Sequence, residues 1–132
     1  MQQKPQIKQK PWGQEVWFAE SKNFAGKVLY LNAGHRYSLQ YHERKEETQY
    51  LFSGKIEFTL GTDSTNLQTI ILNPGDKIDI LPYTWHRAKA LEDSIIFEVS
   101  TPDLDDVVKI EDDYGRSGKG NDEDLDKTLA NS

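Results

Sequence analysis

Histidines at positions 35, 42 and 86 are the only imidazoles in a chain of 132 residues that contains no cysteine. Disulfides and thiolate metal sites are therefore excluded, and a transition metal would have to be held by imidazole, carboxylate or amide oxygen. One stretch gathers such groups. Gln40 and His42 are two residues apart, so on a strand they share a face, and Ser38 joins them. Glu47 follows after four intervening residues, where a second strand is expected to begin, and shares its face with Gln49 and Leu51. A hairpin between these strands would set Glu47 opposite Gln40 and His42. His86 arrives much later, behind Pro82, Tyr83, Thr84 and Trp85. An amide oxygen, a carboxylate and two imidazoles suit a borderline divalent ion, with positions left for water or substrate. Singly, each of these residues is ordinary: a strand histidine is usually satisfied by a hydrogen bond, and strand Gln and Glu are usually solvated. Their joint spacing carries the reading.

The elements that must position them are strands. Polar and apolar residues alternate through Lys55-Ile56-Glu57-Phe58-Thr59-Leu60, the pattern of a half-buried strand. A turn over 61–66 and a returning strand over 67–72 follow. Asn73-Pro74-Gly75-Asp76 has the chemistry of a tight turn, and short strands are expected over 77–80 and 95–99. Upstream, 15–19, 27–31 and 38–41 read as extended, and Tyr50-Leu51-Phe52 leads into a turn at Ser53-Gly54. There is no amphipathic helix of ten or more residues and no internal repeat. Short strands punctuated by Gly and Pro indicate an all-β sandwich or barrel.

The spacing then meets a known pattern. Gly34, Gln40, His42, Glu47 and Gly54 fit every interval of the first cupin motif, G-x5-H-x-H-x4-E-x6-G, with Gln in place of the first His. Gly75 and His86 keep the separation of the second motif, G-x5-P-x-G-x2-H-x3-N, while Leu81, Tyr83 and Ala90 replace its Pro, Gly and Asn. Within the cupin superfamily, the chain resembles the type II phosphomannose isomerase family through Lys10-Pro11-Trp12-Gly13, then Ser38-Leu39-Gln40-Tyr41-His42, then Glu111-Asp112-Asp113-Tyr114-Gly115-Arg116, in that order. The resemblance spans 10–116 and implies a single cupin barrel, a double-stranded β-helix or jelly roll, over residues 1–116. It implies one divalent metal on Gln40, His42, Glu47 and His86. Zinc is the first choice, with manganese, nickel, cobalt and iron also compatible. It also implies interconversion of mannose 6-phosphate and fructose 6-phosphate through an enediol. In that scheme Glu47 and Lys45 are the catalytic candidates, and Arg36, Ser38, Arg87 and Arg116 the substrate-binding ones. Lys45 stands where the family has an arginine, and Thr48 where it has a histidine. Lys keeps the charge without the planar fork that grips phosphate, and Thr is no base at neutral pH. These departures keep open a non-catalytic sugar-binding cupin and a different cupin enzyme, an oxygenase or a nucleotide-sugar isomerase or epimerase.

Composition bounds the rest. Hydrophobic residues are 36% of the chain and mean hydropathy is -0.76, so one economical core is expected. A formal net charge of -6 without a basic patch argues against nucleic acid. No apolar run is long enough to span a bilayer and no secretory leader is visible, so a cytoplasmic protein with no membrane association is expected. The acidic segment 117–132 has few apolar residues and is expected to be a flexible tail, with at most a terminal turn around 125–129. A homodimer is expected, with Trp12 and Trp17 as candidate contacts. All three tryptophans, Trp85 included, are otherwise assigned to packing.

Overall fold

The computed structural model describes residues 2–131, so Met1 and Ser132, which belong to the expected barrel and tail, lie outside the described residues. Among the described residues, twelve strands form two antiparallel six-stranded sheets. One sheet holds β1 (Gln6–Lys10), β2 (Gly13–Glu20), β3 (Ala25–Leu31), β10 (Ser94–Ser100), β5 (Glu47–Ser53) and β8 (Lys77–Ile80), in that spatial order. The other runs β12 (Gly118–Lys119), β11 (Val108–Glu111), β4 (Leu39–Tyr41), β9 (Trp85–Ala90), β6 (Ile56–Gly61) and β7 (Leu67–Leu72). One helix, α1 (Glu123–Ala130), follows. The strands expected over 67–72 and 77–80 form with those bounds.

Alternation explains why the interior is layered. On β5 the buried side chains are Glu47, Gln49 and Leu51; on β10, Ser94, Ile96 and Glu98; on β3, Lys27, Leu29 and Leu31 among others. Register aligns these into rungs: Leu29, Ile96 and Leu51 make an apolar layer, and Lys27, Glu98 and Gln49 make a polar layer beside it. The facing sheet repeats the gradient, with Ile56 opposite Ala90, Phe58 opposite Ala88 and Leu60 opposite His86. Phe58, Leu31, Leu51, Ile56, Ile80 and Ile96 are all but fully buried, each contributing about 1.5–3 kcal/mol of apolar burial. The barrel thus has a dry part that stabilises it and a polar part that presents chemistry.

Two turns show how tightly the backbone is specified. Gly54, between β5 and β6, has φ +97, and a Cβ there would lie 2.6 Å from the Asp93 carbonyl oxygen, so only glycine fits. Tyr83 has φ +63, the backbone form that the second motif fills with glycine; its N–H donates to the His42 carbonyl at 2.7 Å.

Two expectations require correction. Over its described residues, 117–131, the expected flexible tail is not loose: it supplies β12 and α1, and Asp126 is 2% exposed. Charge rather than apolar area docks it, through buried pairs of Asp126 with Lys10 and Arg116, which composition does not reveal. Nor do the strands carrying Gln40 and Glu47 form a hairpin, since β4 and β5 belong to different sheets and meet across the interior. Among the described residues, no helix is long and apolar enough to cross a membrane.

Candidate metal centre

His42, at the end of β4, Glu47, at the start of β5, and His86, on β9, converge in the polar part of the interior, with one ligand atom from each lying within 4.8 Å of the others. All three are buried, at 2%, 2% and 0% exposure. His42 Nε2 is 3.1 Å from Glu47 Oε2, and His86 Nε2 is 3.9 Å from Glu47 Oε1. The imidazole rings lie 5.0 Å apart between centroids.

The other ring nitrogens decide the tautomers. His42 Nδ1 lies 2.5 Å from the Asp106 carbonyl oxygen, and His86 Nδ1 lies 2.9 Å from that of Thr84. A carbonyl only accepts, so each Nδ1 carries the proton and each Nε2 presents a lone pair inward. His42 Nε2, His86 Nε2 and Glu47 Oε2 are left buried without a hydrogen-bond partner. Three electron-rich atoms facing one another out of water are costly alone and suit a cation between them. The donor set fits a divalent ion, with second partners that fix the ring orientations. Burial lowers the pKa of His86 to about 4, with the Glu47 charge opposing, which keeps that imidazole neutral and able to coordinate.

Gln40 is the cross-strand partner of His86, and its Oε1 accepts from Ser38 Oγ at 2.6 Å. Gln40, Ser38, His42 and Lys45 line one cavity of about 50 Å³ together with Tyr37, Gln49 and Glu98. Lys45 Nζ lies 3.1 Å from both Glu47 Oε2 and Glu98 Oε2, and Gln49 Nε2 donates to Glu47 Oε1 at 2.6 Å. Burial would raise the Glu47 pKa, but Lys45, His42 and His86 hold it well below the usual carboxylate range. Glu98 moves the other way: burial and the Glu47 charge raise it against the pull of Lys45. The loop 43–46, which joins the two sheets, is held by Asp106, whose carboxylate accepts from the N–H groups of Glu43, Arg44 and Lys45 at 3.0, 2.6 and 2.9 Å. That contact sets the approach of Lys45 and Glu47 to the site.

The arginines separate. Arg116 lines the cavity and pairs with Asp112 and Asp126. Arg87 is buried outside it, donating to the carbonyls of Tyr37 and Glu111. Arg36, expected to face inward if no bulge intervened, instead makes a bidentate pair with Asp113 at 2.7 Å on the surface and does not line the cavity. Thr48 faces outward and donates to Asp79. His35 contacts the Tyr114 hydroxyl. Trp12 is 3% exposed, so it packs the core and offers no surface for a subunit contact. Trp17 lies between the Lys8 and Lys27 ammoniums, and Trp85 stacks on Tyr41. Sequence reasoning missed Glu98, Lys27, Tyr37 and Asp106. For Glu98 a signal existed: it shares a strand face with Ile96.

No protein-family model matches the chain, and no protein in the curated collection does. Solved structures do. KdgF from Halomonas sp. superposes with a TM-score of 0.60 at 25% identity over 67% of this chain and 79% of that one. Oxalate decarboxylase from Lactobacillus farciminis gives 0.69 at 17% identity over 80% of this chain, and CapF gives 0.68 at 16% over 83%. The chain spans only 33% and 35% of those two proteins. These neighbours are cupins, and the fold is a single cupin β-barrel. What the barrel encloses is a His, Glu and His group able to hold a metal ion, the feature of a metal-binding cupin.

Proposed function

We propose that this cupin holds one divalent metal ion and isomerises a sugar phosphate of the mannose 6-phosphate and fructose 6-phosphate type. The observation that carries the metal is the trio of buried atoms on His42, Glu47 and His86 that face one another without a hydrogen bond. Gln40 would be the fourth ligand: it is the cross-strand partner of His86, and Ser38 takes only one of the two lone pairs of its Oε1. Zinc suits two imidazoles, a carboxylate and an amide; manganese is the alternative, since oxalate decarboxylase from Bacillus subtilis, a similar solved structure, has Mn(II) centres. A bound divalent ion would polarise the sugar oxygens at C1 and C2 and stabilise negative charge developing there.

The chain's own residues would supply the rest. Moving a proton between adjacent carbons needs a group that both takes and returns it. Glu47, held strongly acidic by Lys45, is better suited to ligation than to that task. Glu98, raised by burial and by Glu47, is the better base, and the Lys45 ammonium between the two carboxylates is positioned to share their charge. Tyr37, Gln49 and Ser38 offer hydrogen bonds to sugar hydroxyls from the cavity wall.

One observation favours a second reading, a sugar-binding cupin without turnover. Thr48, which stands where the resembled family has a histidine, faces outward onto Asp79, and Lys45 is held between Glu47 and Glu98, so neither is placed to serve as a base or a phosphate cation. Metal analysis followed by a coupled assay on mannose 6-phosphate separates the two. Turnover abolished in His42→Ala together with the metal supports the isomerase. Tight metal without turnover on any hexose phosphate selects the binding protein. Absence of metal from the purified chain, and failure to take it up, would remove both.

A further inference from the structure

Beside the metal group lies a cluster of which the isomerase scheme uses only Arg116. Lys109, on β11, is the cross-strand neighbour of Gln40, which is the neighbour of His86. Lys10, Lys109 and Arg116 are all buried and all line the cavity that Gln40 and His42 line. Their counter-ion comes from α1. Asp126 accepts from Lys10 Nζ at 2.7 Å and from Arg116 Nη1 at 3.2 Å. Lys109 donates to the Gly120 carbonyl and to Asn121 Oδ1, in the turn that leads into α1. Asp112 takes the other edge of the Arg116 guanidinium, at 2.9 and 2.7 Å.

Helices usually dock by an apolar stripe. Here the buried residue of α1 is Asp126, while Leu125 is 39% exposed. The helix is therefore held by placing a carboxylate among cations. Three cations against Asp112 and Asp126 still leave one positive charge in excess. Lys109 registers that surplus: burial, then repulsion by Arg116 and Lys10, lower its pKa to about 8. With Asp126 withdrawn the excess is two, the charge a phosphate dianion brings. Withdrawing α1 and the turn before it would also open a cavity that now holds about 50 Å³.

We propose that Lys10, Lys109 and Arg116 form the site for the substrate's phosphate, and that α1 covers it with Asp126 as an internal stand-in for that anion. This rests on the sugar-phosphate reading above and adds the group that would anchor the ester, together with a segment that must leave before substrate enters. Asp126 is then an autoinhibitory contact as well as a latch.

The test is calorimetric titration of the metal-loaded full chain with inorganic phosphate, mannose 6-phosphate and mannose. It compares wild type, Asp126→Asn and Lys8→Glu, the last repelling Glu123 from outside the cavity. Both variants are expected to bind mannose 6-phosphate at least about tenfold more tightly than wild type, because the competing covered state is depopulated. Adding Lys109→Gln to either should remove the gain in ester affinity, and mannose should gain less than mannose 6-phosphate because only the opening of the cavity helps it. If Asp126→Asn fails to fold, Lys8→Glu decides. A folded Lys8→Glu chain with no gain, or a gain that survives Lys109→Gln, overturns the proposal. Inorganic phosphate bound as tightly as the ester would overturn the assignment to a substrate phosphate. Tightened phosphate-ester binding without turnover of any hexose phosphate would support the anion site and sink the isomerase reading instead.

Discussion

Two buried polar clusters share one cavity and differ in how their atoms are satisfied. Around Asp126, each buried charge is hydrogen-bonded within the chain: Lys10 and Arg116 meet it directly, Asp112 completes the Arg116 fork, and Lys109 donates to the Gly120 carbonyl and Asn121. Around Glu47, the two histidine Nε2 atoms and a carboxylate oxygen face inward with no hydrogen bond. Both clusters remove polar groups from water, which costs several kcal/mol per uncompensated charge. In the first, the chain supplies the compensation, and the result is a latch between α1 and the barrel. In the second, Lys45 offsets the Glu47 charge but the two imidazole nitrogens are left without a hydrogen bond, and the result is a ligand site. A buried polar group thus says little about function until its partners are counted.

Lys45 belongs to the unsatisfied side yet ties it to the satisfied one, since it sits between Glu47 and Glu98. Replacing it gives the largest expected effect. Lys45→Met should cost about 3–5 kcal/mol of stability in metal-free protein, because two buried carboxylates lose their cation. Adding zinc should then recover more stability in the variant than in wild type, as the ion takes over Glu47. Thermal melts with and without metal read both. A metal-free Lys45→Met chain as stable as wild type would show that the carboxylates are not desolvated, and the contrast between the clusters would fail.

Acid should attack the satisfied network through a particular carboxyl. Burial alone would raise the Glu15 pKa, but Lys27, Lys10, the Trp17 indole N–H and Lys45 bring it from 4.5 to about 2. A folded-state pKa below the unfolded one gives stability that is complete above pH 4.5 and is lost as pH falls toward 2. The loss is on the order of 3 kcal/mol. Glu15 is 14% exposed and Lys27 7%, so solvent screens the pair little. Glu15→Gln should be less stable than wild type at pH 7 and show a shallower fall between pH 4.5 and 2 in denaturant melts. Equal slopes would mean the proton uptake belongs to other groups.

Asp106 sharpens the comparison differently, because it is satisfied itself and serves the unsatisfied cluster. Its carboxylate holds three N–H groups of the loop 43–46, and its carbonyl orients His42. Asp106→Ala leaves the carbonyl but frees the loop. Metal affinity should fall about tenfold, the low end of what loss of an orienting partner costs. Competition with a chelator measures it. An unchanged metal affinity would show that the loop holds its shape without the carboxylate.

How much of this was legible in the sequence follows from how local each determinant is. The strands over 67–72 and 77–80 were readable because turn residues bound them on both sides. The motif interval from Gly34 to Gly54 was readable because the barrel interior demands side chains at fixed positions, and His42, Glu47 and His86 do gather there. What escaped depends on contacts distant in sequence. β1 is Gln6-Ile7-Lys8-Gln9-Lys10, with little apolar signal, and it forms by pairing with β2. α1 looks too polar to dock, and does so through Asp126, which meets Lys10 across 116 positions. Arg36 occupies a family position, yet the sequence does not show that Asp113 waits for it.

That arginine supplies the smallest expected effect and the cleanest separation of the clusters from the surface around them. Arg36 and Asp113 are 37% and 41% exposed, and exposed pairs are worth roughly 0–1 kcal/mol. Arg36→Ala should cost about 0.5 kcal/mol in stability, toward the middle of that range because the contact is bidentate. Metal affinity should stay the same, since the side chain does not line the cavity. Binding of mannose 6-phosphate should also be unchanged, whereas Lys109→Gln should weaken it. If Arg36→Ala weakens sugar-phosphate binding as much as Lys109→Gln does, the ligand reaches the Asp113 surface, and the inward cluster loses its claim on the phosphate.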